Sequence, residues 1–353
     1  MNYEFQGPII KGIQLVIPSN EIAFDDEISN YNFTPQQSEK LKNIMGYDRR
    51  RVVKNDVTSS DLIVAGFKEL VCKGFDLSTL DALIVVTQTP DYLIPGTSYV
   101  VHGLLNMHED ILCLDINQGC AGYIVGLITA FSLLAGNNFK KIALVNVDVV
   151  SRLVSAADRN SRPIIGDAAA ITILENNPNG LPIFGSIKVN GGSWDALMVP
   201  AGGMKIRPSK ESSIEKLDSS GNGRSSSDLV MKGDLVFNFV MQEVPPMISE
   251  LLKCSGVRQE AVDSFLFHQP NPFMLKKLSE KIGVGLDRMP INLVSHYGNS
   301  SGASIPAVLC ANYNVNYFQK KRLVCLAGFG VGLTWGSILM PMHKLSFLNI
   351  LEV

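Results

Sequence analysis

The chain lacks a strong excess of either charge. Its formal net charge is −2, which argues against the basic footprint of a nucleic-acid-binding protein. It lacks any run of eighteen apolar residues, so no membrane span is expected. The opening residues, MNYEFQGPIIKGIQLVIPSNE, lack a positive flank ahead of a long apolar stretch, and no secretory signal is expected. The six cysteines, Cys72, Cys113, Cys120, Cys254, Cys310 and Cys325, form no CxxC pair. That removes support for a zinc or other metal site and for a thioredoxin-like motif. Free thiols without a signal point to a reducing, cytoplasmic location. All but Cys120 sit in apolar or helical contexts and read as small buried hydrophobes. What the chain does have is apolar residues: 46% are hydrophobic and 18% charged, enough for a large core.

Short apolar runs alternate with helix-length segments, the pattern of an α/β sheet protein. ALIVVTQT (82–89), ILCLDI (111–116), KIALVNV (141–147) and AAITIL (169–174) read as buried strands. DSFLFH (263–268), INLVS (291–295), RLVCLAGFG (322–330) and GLTWGSILM (332–340) repeat the layout. In each half three strand starts lie roughly thirty residues apart, and a helix fills the second gap, at 120–135 and near 302–314. Two pseudo-twofold βαβ halves, 1–185 and 186–353, account for this spacing. Residues 205–229, rich in Ser, Lys and Gly, read either as a surface linker or as a loop over a substrate mouth.

In DINQGCAGYIVGLITAFSLLAGN (115–137), a strand ends near Asn117, a Gln118–Gly119 turn follows, and Cys120 opens an apolar helix that Gly136–Asn137 stops. A thiol at a helix N-terminus gains from the dipole and the free N–H groups, so a lowered pKa is expected. Its own N–H is also placed to donate to an oxyanion. Alone, Cys120 reads equally as a buried capping cysteine. His268, ending the strand DSFLFH, and Asn299, in HYGNSSG before an apolar helix, lie at the carboxyl ends of strands in the second half. Ligands bind at such edges in α/β sheets. Asn299 occupies the place in the second half that Cys120 occupies in the first. Together the three suit thioester chemistry: Cys120 takes an acyl group, and His268 and Asn299 hold an enolate oxygen as a malonyl-type thioester loses CO2.

GCAG (119–122), GD (166–167), MKGDLVF (231–237), HQPN (268–271), GNSSGASIP (298–306) and GFGVGLTWG (328–336) follow one another along nearly the whole chain. In this order they resemble β-ketoacyl-acyl-carrier-protein synthase III, of the thiolase superfamily. The resemblance implies a thiolase-like, five-layered αβαβα fold, a homodimer and no cofactor. It implies Cys120 as acyl acceptor, His268 and Asn299 as the decarboxylation pair, and Gly332 as a second oxyanion donor beside Cys120. Acyl-CoA or another acyl thioester and an acyl carrier protein are the implied partners, and β-ketoacyl-acyl-carrier protein the implied product. A related chemistry passes the acyl group from Cys120 to an oxygen or nitrogen nucleophile.

Some positions depart from the family pattern. Lys40 and Ile44 stand where relatives carry a tryptophan and an arginine that hold the CoA nucleotide, while Arg159 matches a CoA-contacting arginine. Phe273 replaces an arginine that docks the carrier protein, although Lys276, Lys277 and Lys281 keep that helix basic. Ile94 stands where relatives carry a phenylalanine that limits the acyl pocket across the dimer, and Phe237 falls in the substrate-binding stretch. TQTPDYLIP offers no glutamate for the base of a hydroxymethylglutaryl-CoA synthase.

Overall fold

A computed structural model describes residues 2–31, 33–177, 179–218 and 221–353. Eleven strands build two sheets. They are β1 (Asn2–Gln6), β2 (Pro8–Ile17), β3 (Ala82–Val86), β4 (Leu112–Ile116), β5 (Lys141–Asp148), β6 (Ala168–Asn176), β7 (Pro182–Val189), β8 (Ser264–Phe267), β9 (Arg322–Gly330), β10 (Thr334–Met342) and β11 (Phe347–Glu352). The first sheet runs β11-β2-β6-β5-β3-β4 and the second β1-β7-β10-β9-β8. Both contain the same succession of antiparallel, antiparallel and parallel pairs, β2-β6-β5-β3 in one and β7-β10-β9-β8 in the other. This is the expected pseudo-twofold repeat. The terminal strands are exchanged between halves: β1 joins the second sheet and β11 the first. The division at 185/186 therefore falls inside β7 rather than between compact halves.

Among the described residues, seven helices of eight residues or more pack around the sheets: α1 (Pro35–Met45), α2 (Ser59–Cys72), α3 (Thr97–Leu104), α4 (Gly122–Ala135), α5 (Gly233–Ser255), α6 (Pro272–Ile282) and α7 (Ser304–Asn312). Strand alternation explains the layers. On β9, Val324 and Leu326 face the central layer with Phe131 of α4 and Val308 of α7, while Cys325, Ala327 and Phe329 face α5 and α6. On β5, Ile142 and Leu144 face the same centre, while Val145 and Val147 face Phe67 of α2. The result is the αβαβα stack. The central helices sit close because the sequence leaves room: a Cβ on Gly126 of α4 would lie 2.6 Å from Leu144 Cδ1.

Three expectations change. INLVS is not a strand; residues 294–297 form one helical turn. Pro290 lacks an N–H, and the Phe265 N–H already goes to the Arg288 carbonyl at 2.8 Å, so no ladder forms beyond it. ILCLDI is a half-exposed edge strand rather than a buried one. Of the cysteines read as buried, only Cys310 and Cys325 are; Cys113 is half-buried, and Cys72 and Cys254 are exposed at the C-terminal ends of α2 and α5.

Candidate active site

One cavity of about 770 Å³ lies where the two sheets' strand ends meet. Cys120, His268 and Asn299 all line it, as the sequence reading requires. Cys120 lies just before α4, whose first residue is Gly122 and whose cap is Ala121. The Gly122 N–H closes the turn onto the Gly119 carbonyl at 2.6 Å. Glycines make this seat. A Cβ on Gly119 would collide with Gln88 Oε1, and a Cβ on Gly330 would stand 2.6 Å from Cys120 Cβ and 2.9 Å from its sulfur. That is why GCAG and GFG occur together.

The expected low thiol pKa is not found. Burial pushes the Cys120 thiol up to about 11, and the nearby Asp148 carboxylate adds to the rise. The Val331 N–H and the Ser301 hydroxyl pull the other way but do not win. The helix dipole therefore loses to desolvation here. Gly332 does not line the cavity; its Cα side is closed by Thr334, whose N would lie 3.0 Å from an added Cβ. The backbone N–H beside the sulfur belongs to Val331, one residue earlier, and the Gln118 side chain fixes that segment through the Val331 carbonyl at 3.2 Å.

His268 follows β8 and is buried, and burial lowers its pKa to about 3, so its ring is neutral at ordinary pH. Its Nδ1 lies 2.7 Å from Ser304 Oγ, and the same oxygen accepts the Gln269 N–H at 3.3 Å. Asn299 is held by the other half of the molecule. Its N–H donates to the Ile164 carbonyl at 2.6 Å, and its carbonyl accepts from Gly166 at 3.1 Å. Asn299 Oδ1 accepts the Ser301 N–H at 2.9 Å, which turns the amide nitrogen free to donate. The GD motif acts in this clamp: a Cβ on Gly166 would collide with the Tyr297 carbonyl, and Asp167 accepts from Val53 N at 2.9 Å and Ser151 N at 3.0 Å.

The outer cavity is mostly apolar. Arg159 lines it and stacks on Phe33, its guanidinium carbon 4.1 Å from the ring centre. Phe237 lines it too, stacked on Phe273 at 6.0 Å. Lys40 is exposed and Ile44 is 47% exposed; neither lines the cavity, whereas Leu41 and Met45 of the same helix do. Ile94 is 88% exposed and lies outside this chain's cavity. Lys276, Lys277 and Lys281 are exposed on α6; Lys277 pairs with Glu280 at 2.9 Å and Lys281 donates to the Met241 carbonyl at 2.8 Å. Of the described residues of 205–229, only the last, Leu229, reaches the cavity, and the rest run outside its lining. Arg224 is anchored to buried Asp158 at 2.8 Å. Ser219 and Ser220 of that stretch lie outside the described residues.

The family model for 3-oxoacyl-[acyl-carrier-protein (ACP)] synthase III matches residues 114–190, and the model for its C-terminal part matches 252–342. The chain is 30% identical over 329 residues to a Streptococcus mutans beta-ketoacyl-[acyl-carrier-protein] synthase III, covering 92% of this chain and 96% of that one. The chain belongs to the 3-oxoacyl-[acyl-carrier-protein] synthase III family. A Fusobacterium nucleatum member is 30% identical over 334 residues, covering 94% and 97%. A solved Burkholderia xenovorans 3-oxoacyl-(acyl-carrier protein) synthase superposes with a TM-score of 0.92 at 31% identity, covering 100% of this chain and 99% of that one. The fold is thus thiolase-like, and the protein is an acyl-transferring enzyme of fatty-acid-type synthesis. Sequence reading missed Val331, Ser301, Ser304 and Asp148. Asp148, a carboxylate ending a buried strand, carried a usable signal.

Proposed function

We propose that the enzyme carries out a decarboxylative Claisen condensation between an acyl group held on Cys120 and a malonyl thioester on an acyl carrier protein. The observation that carries this is the convergence of Cys120, His268 and Asn299 on one cavity, with Asn299 Oδ1 tied down so that its nitrogen donates. The donor thioester acylates Cys120 and leaves as a free thiol. The malonyl carboxylate then departs as CO2, and the C–C bond electrons form an enolate. Asn299 Nδ2 and His268 Nε2 donate to its oxygen. Ser304 sets that tautomer: it accepts the Gln269 N–H and donates its own O–H in a hydrogen bond to Nδ1, leaving the ring N–H on Nε2. The enolate carbon attacks the acyl-Cys120 carbonyl, whose oxyanion is held by the N–H groups of Cys120 and Val331. Cys120 departs as the β-ketoacyl-carrier protein forms. No step requires a metal or redox cofactor.

The cavity, mostly apolar with Arg159 and Asp234 in its lining, fits an acyl chain on the pantetheine arm that CoA and carrier protein share. The half-exposed edge strand β4 and the exposed Tyr92, Leu93, Ile94 and Tyr99 fit a homodimer, in which a second copy covers them. Light scattering at micromolar concentration tests that pairing.

The deciding experiment incubates the protein with acyl-CoA and acyl-carrier donors and weighs it intact. Wild type gains the acyl mass and Cys120→Ala does not. Malonyl-carrier protein is then added and CO2 measured. Acylation without CO2 release on adding it would favour the second reading, transfer to an oxygen or nitrogen nucleophile. The retained His268–Asn299 pair speaks for condensation.

A further inference from the structure

Ser301 touches every part of the site, and the condensation scheme leaves its hydroxyl unused. It is a non-glycine residue with φ of 53°, in the left-handed region, and it lines the cavity. That backbone aims its N–H at Asn299 Oδ1, 2.9 Å away. It also puts Ser301 Oγ 3.3 Å from where a Cβ on Gly119 would stand, against the turn that carries Cys120. The Ser301–Ala303 turn packs directly on β5, which ends at Asp148, and the hydroxyl lies close enough to both the Cys120 thiol and the Asp148 carboxylate to favour their charged forms.

Asp148 ends β5 and is 1% exposed. Its Oδ1 accepts the Gln88 N–H at 2.7 Å and the hydroxyls of Thr87 at 3.3 Å and Thr89 at 3.5 Å. The Gly302 N–H and the Ser301 hydroxyl also face it. These are neutral donors, and the titratable group beside it is Cys120.

We propose that Ser301 and Asp148 form the proton path of the acyl-loading step. As Cys120 Sγ bonds to the thioester carbon, its proton passes to the Ser301 oxygen and the Ser301 proton passes to Asp148. The carbon–sulfur bond of the donor then breaks, and Asp148 returns the proton through Ser301 to the departing sulfur. Nothing is oxidised or reduced, and the products are acyl-Cys120 and a free thiol. This inference rests on the reading of Cys120 as the acylated residue.

The need for such a path is physical. A thiol pushed up to about 11 is a thiolate in roughly one molecule in ten thousand at pH 7. His268, lowered to about 3, is a poor proton acceptor. Asp148, raised by burial to about 6, is ionised at neutral pH and a better match.

The test compares wild type with Asp148→Asn and Ser301→Gly, the glycine keeping the left-handed backbone without the hydroxyl. Two rates are followed by intact mass from pH 5 to 9: acylation by hexanoyl thioesters of CoA and of carrier protein, and alkylation by iodoacetamide. Wild-type acylation should rise with pH through about 6, as Asp148 becomes the carboxylate. Both variants should acylate at least tenfold more slowly at pH 7 and lose that limb. In Asp148→Asn alkylation at pH 9 should be faster than in wild type, because a negative charge beside the thiol is gone and the thiolate fraction rises. Equal acylation in variants and wild type, or equal alkylation rates of Asp148→Asn and wild type at pH 9, overturns the relay. So does a parallel fall of acylation and alkylation, which would mark a displaced Cys120. If wild type takes no acyl group from either donor, the proposed function fails instead.

Discussion

The two halves share one chain layout but build the corner facing the cavity by different means. In the first half a regular strand, β4, leads into the Cys120 turn, and steric closeness fixes the nucleophile: Gly119 against Gln88, Gly330 against the sulfur. In the second half the matching strand is absent. Asn299 is fixed instead by hydrogen bonds to Ile164 and Gly166, which belong to the first half, and by Ser301. A nucleophile must stay put while its bond partners change, and tight packing does that. A hydrogen-bond donor must point its nitrogen one way, and a pinned amide does that. The layout was repeated; the means of positioning was not.

The largest expected effect separates those two corners. His268→Ala or Asn299→Ala should lower CO2 release by 10²–10³-fold, the size of one lost oxyanion donor. Cys120 acylation, measured by intact mass, should survive in both. If acylation falls equally, the division of labour between the halves is wrong. The pH profile adds a check of sign. His268 is neutral above about 3, so the CO2-release step in wild type should show no loss of activity from its protonation between pH 5 and 8.

The next effect tests packing in the first corner. Gly330→Ala puts a methyl 2.6 Å from Cys120 Cβ. Overpacking of this kind is destabilising by about 1–3 kcal/mol. Thermal unfolding should drop by several degrees, and acylation should slow by roughly tenfold because the sulfur must move. Ser304→Ala tests the second corner more gently. It removes the hydroxyl on His268 Nδ1 without crowding anything, so CO2 release should fall by roughly three- to tenfold, and the unfolding temperature should drop by a few degrees because the buried His268 Nδ1 and Gln269 N–H lose their partner.

This contrast also explains what the sequence showed. The central strands of both sheets were legible because alternate residues of KIALVNV and RLVCLAGFG face two apolar layers and leave near-continuous hydrophobic runs, whereas β1, β2, β7 and β11 were not read as strands. Cys120 and His268 were legible because each follows a strand in a punctuated turn, and Asn299 because the turn HYGNSSG stands ahead of an apolar helix, although no strand precedes it. INLVS misled because an apolar run beside a proline looks the same whether or not it finds a ladder. The Cys120 pKa misled because the helix start is visible in sequence while the burial and the Asp148 carboxylate are not. Gly332 was one residue from Val331, and only backbone direction distinguishes which N–H faces the sulfur. The terminal strand exchange rests on pairings between β1 and β7 and between β2 and β11, which no local pattern encodes.

The same asymmetry reaches the outer surface, where the smallest effect is expected. Directly after β3 and β8 the two halves carry matching helices, α3 and α6. α3 exposes Tyr99 and Leu104, while α6 exposes Lys276, Lys277, Glu280 and Lys281. An apolar face suits a second copy of the chain, and a basic face suits an acidic carrier protein. Lys277 is partly neutralised by Glu280 and Lys281 bonds a carbonyl, so Lys276 is the informative position. Lys276→Glu should raise KM for malonyl-carrier protein by roughly threefold at low salt, the scale of one exposed charge contact. The difference should fade as salt shortens the Debye length. The kcat and the rate of Cys120 acylation by acyl-CoA should not move, because that donor has no acidic protein surface to meet. A change in acyl-CoA loading would place the α6 charges at the mouth of the cavity rather than on a docking face, and the contrast between the two helices would then be one of substrate entry instead of partner choice.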